Sequence, residues 1–200
     1  MIIKMKKQLL FLFALIVSSC STKVTLSSQD FGWMPYREND TLIFMSNSGN
    51  MDTLYLVKKD TVWQFPEAQS IFGHQCEAVR VLCLHSDSVE GSQSIRYLEN
   101  EFCSIRKNKT NQTLLNIRFL TKNATYYHLQ EFDIDSLNKA PANQFKMNNK
   151  THRDVYILEA EDYLGYLHKR KDYVEKLYWS KSKGLLRYDL KNGVYWELVD

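Results

Sequence analysis

The sequence predicts a mainly β fold, an antiparallel curved sheet built as a half-barrel or a sandwich, with at most one or two short helices. Three observations predict it. Short runs rich in β-branched and aromatic residues recur from residue 40 to the C-terminus. Polar turn segments separate these runs at short intervals. No long stretch between them has the apolar period of a helix, so neighbouring strands are expected to pair with each other.

The first two strands are expected at residues 40–45 and 52–57. They flank the Ser-Asn-Ser-Gly-Asn segment at 46–50, which predicts a hairpin with a longer loop. Residues 66–74 begin with a proline and are expected to form a loop or a short helix.

The middle of the chain repeats the strand pattern. Val79, Val81 and Cys83 fall on one side and Arg80 on the other, which indicates a strand with two partly buried faces. The segment 134–151 is rich in Asn, Lys and Ala and is expected to be a crossing loop. The strands expected in this part of the chain are 78–85, 94–106, 113–120, 125–132 and 155–158.

The C-terminal part predicts a turn or short helix at 160–170, followed by a three-stranded meander. Asn192-Gly193 is a strong hairpin signal, because both residue types accept a positive φ. The strands of the meander are expected at 174–179, 185–190 and 194–199.

The first twenty residues have the three-part plan of an export signal. A basic head precedes the apolar run 9–17, and two serines follow it. The run is shorter than the roughly 20 apolar residues that a membrane-spanning helix needs. The sequence therefore predicts a signal peptide at 1–19, a tether at 20–30 and a single β-rich domain at 31–200.

The end of this signal, Val-Ser-Ser-Cys at 17–20, resembles the lipobox of bacterial lipoproteins. The resemblance implies cleavage before Cys20 and attachment of diacylglycerol, with palmitate-type acyl chains, to its thiol. Two or three acyl chains hold a protein at a bilayer far more firmly than one. The alternatives are an ordinary secretory signal that happens to end in cysteine and an uncleaved membrane anchor.

The residues after Cys20 bear on which membrane face holds the chain. Surface-exported lipoproteins of the Bacteroidota carry acidic residues just after this cysteine, whereas here the first acidic residue is Asp30. The comparison implies the periplasmic face of the outer membrane. Without its three signal lysines the chain has 23 Lys+Arg, against 23 Asp+Glu, so no nucleic-acid partner is expected.

Two further blocks resemble uncharacterised Bacteroidota lipoproteins. One comprises Met34-Pro35-Tyr36 and the Asp-Thr-Leu-Ile-Phe run at 40–44. The other lies in the C-terminal meander, at 178–181, 184–188, Gly193 and 196–198. The family that these blocks resemble implies no activity that could be transferred to this chain.

With Cys20 lipidated, three cysteines remain: Cys76, Cys83 and Cys103. An oxidising periplasm makes one disulfide plausible. If 77–86 and 94–105 form a hairpin around Ser88-Val89-Glu90-Gly91, Cys76 faces Cys103, which predicts that pairing. The absence of any disulfide is the equally weighted alternative.

Asp followed by Ser or Thr and an aliphatic residue occurs five times. This tripeptide resembles the O-glycosylation motif of the Bacteroidota, which implies modification of the hydroxyl after export. The structural alternative is that Asp-Thr or Asp-Ser leaves a turn and the aliphatic residue begins a strand. The five candidate hydroxyls belong to Thr41, Thr53, Thr61, Ser88 and Ser136.

Metal and cofactor sites are not expected. His74-x-Cys76 and Cys83-x-His85 place metal-ligating residues two apart, but this spacing fits no common zinc pattern. Core packing with an optional disulfide is the preferred interpretation of these four residues.

Catalytic motifs are also missing from the sequence. There is no Gly-x-Ser-x-Gly elbow, His-Glu-x-x-His helix or glycine-rich phosphate loop. The acidic cluster Glu159, Glu161 and Asp162 and the basic segment 168–171 are interpreted as solvated turns. The four tryptophans suit either a sugar-stacking surface or the core, and the core is favoured.

These observations predict a membrane-anchored periplasmic lipoprotein with a non-enzymatic binding or scaffolding role in the cell envelope. Its partner would be an envelope protein, a lipid or a glycan. The alternatives are an envelope hydrolase of unknown substrate and an accessory subunit of a secretion or polysaccharide-uptake machine.

Overall fold

The computed structural model describes residues 23–65, 75–85, 101–119, 128–162 and 165–199. Within these residues the chain forms twelve strands, two short helices and one 3-10 turn. The strands are β1 (Lys23–Val24), β2 (Thr41–Ser46), β3 (Met51–Gln64), β4 (Gln75–His85), β5 (Glu101–Lys107), β6 (Thr113–Phe119), β7 (His128–Asp133), β8 (Asn143–Met147), β9 (Lys150–Glu159), β10 (Val174–Ser180), β11 (Gly184–Leu190) and β12 (Tyr195–Leu198). The helices are α1 (Ser28–Phe31) and α2 (Ile134–Lys139), and the 3-10 turn is Leu167–Lys169.

Eleven of the strands make one curled antiparallel sheet, a half-barrel, which is one of the two arrangements that the sequence predicted. Its order is β7-β6-β5-β4-β3-β2-β12-β11-β10-β9-β8, and β1 pairs with β4 outside this path. The sheet thus consists of two meanders, β2 to β7 and β8 to β12, joined where β12 pairs with β2. The only described helices are the two short ones. No described helix is long and apolar enough to cross a membrane.

The two hairpins with the clearest local signals form as predicted. The β2–β3 hairpin turns at Gly49, which has a positive φ of 83°. The β11–β12 hairpin turns at Gly193, with a φ of 81°. The expected C-terminal meander is β10, β11 and β12.

The prediction of a crossing loop at 134–151 is wrong. This segment contains α2, β8 and the start of β9. The helix begins after Asp133, whose side chain accepts a hydrogen bond from the backbone N of Asp135. The β8–β9 hairpin turns at Asn148 and Asn149, with φ values of 48° and 62°. Because β8 is mostly exposed on both faces, its sequence lacks the alternation that would reveal a strand.

The folded domain begins earlier than residue 31. The tether was expected at 20–30, but its described residues include β1 and most of α1, and Leu26 is buried. The helix starts with a reciprocal capping box between Ser27 and Asp30. The Asp30 carboxylate also accepts a hydrogen bond from Thr113 Oγ1 at 2.9 Å, which fixes α1 to the start of β6.

Several expected elements lie wholly or partly outside the described residues. They are the loop or helix at 66–74, the Ser88–Gly91 turn, the first residues of the 94–106 and 125–132 strands, and part of the 160–170 segment.

The inner face of the half-barrel is filled by the chain itself. We call residues 33–36 the plug segment. It lies directly after α1, and Trp33, Met34 and Tyr36 are all buried within the core cluster. The Lys59 ammonium donates to the carbonyl oxygens of Met34 and Tyr36, at 2.9 Å each, and holds the segment against β3.

Candidate binding surface

The plug segment determines whether the inner face of the sheet is available to a ligand. The Tyr36 ring packs edge-on against Phe102 and Trp179, with centroids 5.3 and 5.8 Å away. Trp33 Nε1 donates to Asn138 Oδ1 at 3.2 Å, which ties the plug segment to α2. The residues that would line a carrier cavity on this face are therefore packed against the protein's own side chains.

The predicted Cys76–Cys103 pairing is wrong. All three described cysteines are buried free thiols. In the β4–β5 register Cys103 lies opposite Val81, not opposite Cys76. Five residues of strand separate Val81 from Cys76, about 17 Å, far beyond the reach of a disulfide. The predicted register was wrong because the turn that sets it lies in a segment without a strong hairpin signal.

The mirrored His-Cys pairs do not form one site. His74 and the side chain of His85 lie outside the described residues. Cys76 and Cys83 are seven residues apart on β4, about 23 Å, so they cannot share a metal ion. Among the described residues there is no group of three His, Cys, Asp or Glu side chains placed to hold one.

The acidic cluster and the basic segment meet in one turn. The Asp162 carboxylate contacts His168 Nδ1 at 2.6 Å and accepts from the backbone N atoms of Gly165 and His168. Arg170 forms a salt bridge with Asp172 at 2.8 Å. An Asp–His contact orients the imidazole in many hydrolases. Here the same carboxylate caps the turn, and no described serine or cysteine lies within hydrogen-bond distance of this histidine.

The residues that carry the candidate hydroxyls of the recurring tripeptide are mostly exposed. Thr41, Thr61 and Ser136 belong to exposed residues, and Thr53 is half-buried. Ser136 Oγ donates to Asp133 Oδ2 at 2.6 Å in the first turn of α2. Ser88 lies outside the described residues. Four of the five residues therefore retain at least partial access to solvent.

A group of polar and aromatic side chains surrounds Arg187 on the outer face. We call Tyr178, Arg187, Asp189, Tyr195 and Glu197 the outer-face cluster. They lie on β10, β11 and β12, and the register pairs Arg187 directly with Tyr178 on one side and Glu197 on the other. Because side chains alternate along a strand, these five lie on the outer face, and the half-buried Tyr178 also packs against the core cluster.

Arg187 is held from four directions. Its guanidinium lies 3.8 Å from the ring centroid of Tyr195 and 5.2 Å from that of Tyr178. It also bonds the Asp189 carboxylate at 2.5 Å and the Glu197 carboxylate at 3.1 Å. A planar cation between two rings and two carboxylates is rigid, so the cluster presents a preformed surface.

The electrostatics of the cluster favour fixed charge over proton transfer. Burial alone would lower the pKa of Arg187, but its bonds to Asp189 and Glu197 outweigh burial and raise the pKa. Partial burial and the neighbouring Asp189 carboxylate raise the pKa of Tyr178. Neither group gains or loses a proton near neutral pH, which suits recognition better than acid–base catalysis.

Two shallow grooves flank Tyr195. One, of about 160 Å³, lies between β2 and β12 and is lined by Met45, Asn47 and Asn148 among others. The other, of about 290 Å³, lies over β10 and β11 beside Lys176 and Asp189. Both fall below the usual size of a small-molecule site. They suit side chains or single sugar-sized groups of a larger partner.

Exposed apolar side chains surround the outer-face cluster. Met45 pairs with Glu197 and with Met51, and these two methionines are 48% and 55% exposed. Ile157 pairs with Tyr178 and is 45% exposed. Apolar groups of this size around a rigid polar centre are typical of a protein-binding surface.

The outer-face cluster was not predicted, although the sequence contains a signal for it. Arg187 and Asp189 alternate with buried residues on β11, and Tyr195 and Glu197 do the same on β12. Three of the four tryptophans, Trp33, Trp179 and Trp196, are in the core as favoured. The fourth, Trp63, is 40% exposed.

The fold and the site define a mainly β half-barrel with a filled interior and a structured outer face. No protein-family model, no curated protein and no solved structure matches this chain.

Proposed function

We propose that this chain is a lipid-anchored protein of the periplasmic face of the outer membrane that binds an envelope partner without catalysing a reaction. The observation that carries the binding role is the contrast between the two faces of the sheet. The inner face is packed against the plug segment, whereas the outer face presents the outer-face cluster with exposed methionines beside it.

The anchoring role rests on the N-terminal sequence. A basic head, a nine-residue apolar run and Ser-Ser-Cys stand in the order that lipoprotein signals have. The folded domain follows the modified position almost at once, because β1 begins at Lys23. A chain of this design keeps its domain beside the membrane, where envelope partners are found.

The non-enzymatic role is supported by what the described residues bring together. The Asp162–His168 contact is the nearest approach to a catalytic arrangement, and its carboxylate serves the surrounding turn. The charged groups of the outer-face cluster are paired with each other. Shape and fixed charge are therefore what this domain offers a partner.

Anchoring is tested by the intact mass of the protein extracted from membranes of its host. We expect a chain that begins at Cys20 with diacylglycerol on the thiol, and a Cys20→Ala variant that leaves the membrane fraction. An unmodified Cys20, or a variant that stays membrane-bound, would contradict the proposal.

Binding is tested by placing a photo-crosslinking amino acid at Met45 in the anchored protein. We expect a discrete adduct whose yield falls when Tyr195 is changed to Ala. The matched control position is Arg118, an exposed residue on β6 outside the outer-face cluster. Equal adducts at both positions, or none at Met45, would count against a partner at the outer face.

A further inference from the structure

The distance between the modified cysteine and the folded domain is short. Three peptide units separate Cys20 from Lys23, and a fully extended chain covers about 10 Å over that length. An anchor at Cys20 therefore places Lys23 within about 10 Å of the lipid headgroups. This step rests on the proposed function, because it needs the anchor.

Lys23 cannot swing freely away from the sheet. It belongs to β1, which pairs in parallel with Gln75 and Cys76 at the start of β4. Just beyond β1, Leu26 N donates to Glu77 Oε2 at 2.8 Å. The end of the sheet that carries β1 is therefore brought close to the bilayer together with Lys23.

This end of the sheet has the side chains that favour a lipid interface. We call the exposed residues Lys23, Phe31, Trp63 and Lys109 the proximal rim. Trp63 is 40% exposed and Phe31 is 38% exposed. Lys23 Nζ lies 4.8 Å from the centroid of the Trp63 ring. Tryptophan beside lysine is characteristic of membrane–water interfaces, where the ring enters the headgroup layer and the ammonium stays in water.

The position of Trp63 differs from that of the other tryptophans. It lies opposite Glu77 near the end of β3, beyond the core-forming part of that fourteen-residue strand. Lys109 belongs to the neighbouring β5–β6 turn, where Asn108 O lies 3.9 Å from Cys76 Sγ. An exposed indole at the end nearest to the anchor has a ready partner in the headgroup layer.

We propose that the proximal rim lies on the phospholipid surface and sets the orientation of the anchored domain, with Trp63 inserted among the headgroups. The outer-face cluster is then held away from the bilayer. Asn47 N bonds Tyr195 O near the start of β3, whereas Trp63 is near its end. The length of β3 separates the two places, about 40 Å at the usual rise of a strand.

The test uses the full-length lipidated protein in vesicles of phosphatidylethanolamine and phosphatidylglycerol whose acyl chains are brominated. Bromine quenches only tryptophans near the lipid, and Trp33, Trp179 and Trp196 are buried in the core. We expect quenching in the native protein and its loss in Trp63→Phe. A ten-residue Gly-Ser insertion after Thr22 should weaken quenching, because it frees the domain from the surface.

The outcomes distinguish a failure of the proposed rim position from a failure of the proposed lipid anchor. If mass spectrometry shows no lipid on Cys20, the anchor and the rim both fail. If the protein is lipidated but its fluorescence is unchanged by brominated lipid, only the rim is overturned. Equal quenching in Trp63→Phe would also overturn the proposed position of the rim. Protection of Trp63 from both brominated lipid and acrylamide would overturn it as well, because it indicates that a second copy of the chain covers the indole. Circular dichroism of Trp63→Phe shows that the variant is folded.

Discussion

Tyr36 Oη accepts a hydrogen bond from the backbone N of Leu185 at 2.7 Å. The two residues are 149 positions apart in the chain. The bond joins the plug segment, which precedes the first meander, to β11 in the second meander. Burial raises the pKa of Tyr36 well above its usual value, so the phenol stays neutral across the physiological pH range.

Gly184 is expected to tolerate no side chain. Its φ is +81°, and a Cβ there would lie 2.1 Å from Tyr36 Oη and 2.3 Å from Tyr36 Cζ. We expect Gly184→Ala to lower the free energy of unfolding by about 3 kcal/mol or more, from backbone strain and displacement of a buried ring. The control is Gly193→Ala, with the same φ but open space around it, which should cost about 1 kcal/mol. Equal losses in urea denaturation would show that the clash with Tyr36 does not matter.

Lys59 is expected to hold the plug segment in place. Its ammonium donates to two backbone carbonyls, those of Met34 and Tyr36. Lys59→Met keeps the aliphatic stem but leaves both oxygens without this donor, and should destabilise the protein by about 1–3 kcal/mol. Amide hydrogen exchange at residues 33–36 should accelerate selectively. Lys58→Met is the control, since that side chain is 55% exposed and its salt bridge with Asp60 contributes little.

Asp30 is expected to contribute to acid sensitivity. Burial alone would raise the pKa of Asp30, but hydrogen bonds from Ser27 and Thr113 and the charge of Lys107 outweigh it and lower the pKa. A carboxyl with a lowered folded pKa stabilises the protein above its unfolded pKa, near 3.9, and this contribution disappears as pH falls through the folded value. Asp30→Asn should therefore lower the free energy of unfolding at pH 7. On acidification the variant should lose less stability than the wild type loses.

The measurement for Asp30 is urea unfolding at a series of pH values. Asp135→Asn is the matched control, because Asp135 is exposed in the first turn of α2 and should change stability by less than about 0.5 kcal/mol. A stability difference between wild type and Asp30→Asn that is independent of pH would contradict the assignment.

The described thiols are expected to be inert in the folded protein. Burial raises the pKa of Cys83 to about 12, raises that of Cys103 well above its usual value and raises that of Cys76. Because the thiolate is the reactive form, none should react with a disulfide reagent at pH 8 before unfolding. Under denaturing, non-reducing conditions the lipidated protein should titrate three thiols. A count of one thiol would show that two of the three cysteines form a disulfide.

Local sequence signals predicted those elements whose conformation is decided by neighbouring residues. Gly49 and Gly193 supply the positive φ that their hairpins require, and the alternation in β2 and β11 follows from one buried face. The Ser27–Asp30 capping box and the Asn148-Asn149 turn were local signals too, but they stand beside polar residues without an apolar pattern. They were therefore predicted as tether and loop.

The outer-face cluster depends both on the local sequence of each strand and on how the strands pair. Alternation along β11 and β12 determines that Arg187 and Tyr195 point outward. The pairing of β11 with β12 brings the guanidinium of Arg187 against the ring of Tyr195. The order of the residues alone did not predict the register of that pairing. The disulfide prediction failed for the same reason, since a shift of one strand against its neighbour changes every pair.

The sequence by itself determined the strand-rich class and the main turns, because each depends on residues within a few positions of one another. Only the tertiary structure decided the rest. It closes β12 on β2, fills the half-barrel with Trp33, Met34 and Tyr36, and leaves Trp63 exposed near the end of β3. The pairing of β12 with β2 and the bond between Tyr36 and Leu185 join segments more than a hundred residues apart, where many arrangements bury similar apolar area and shape complementarity selects one.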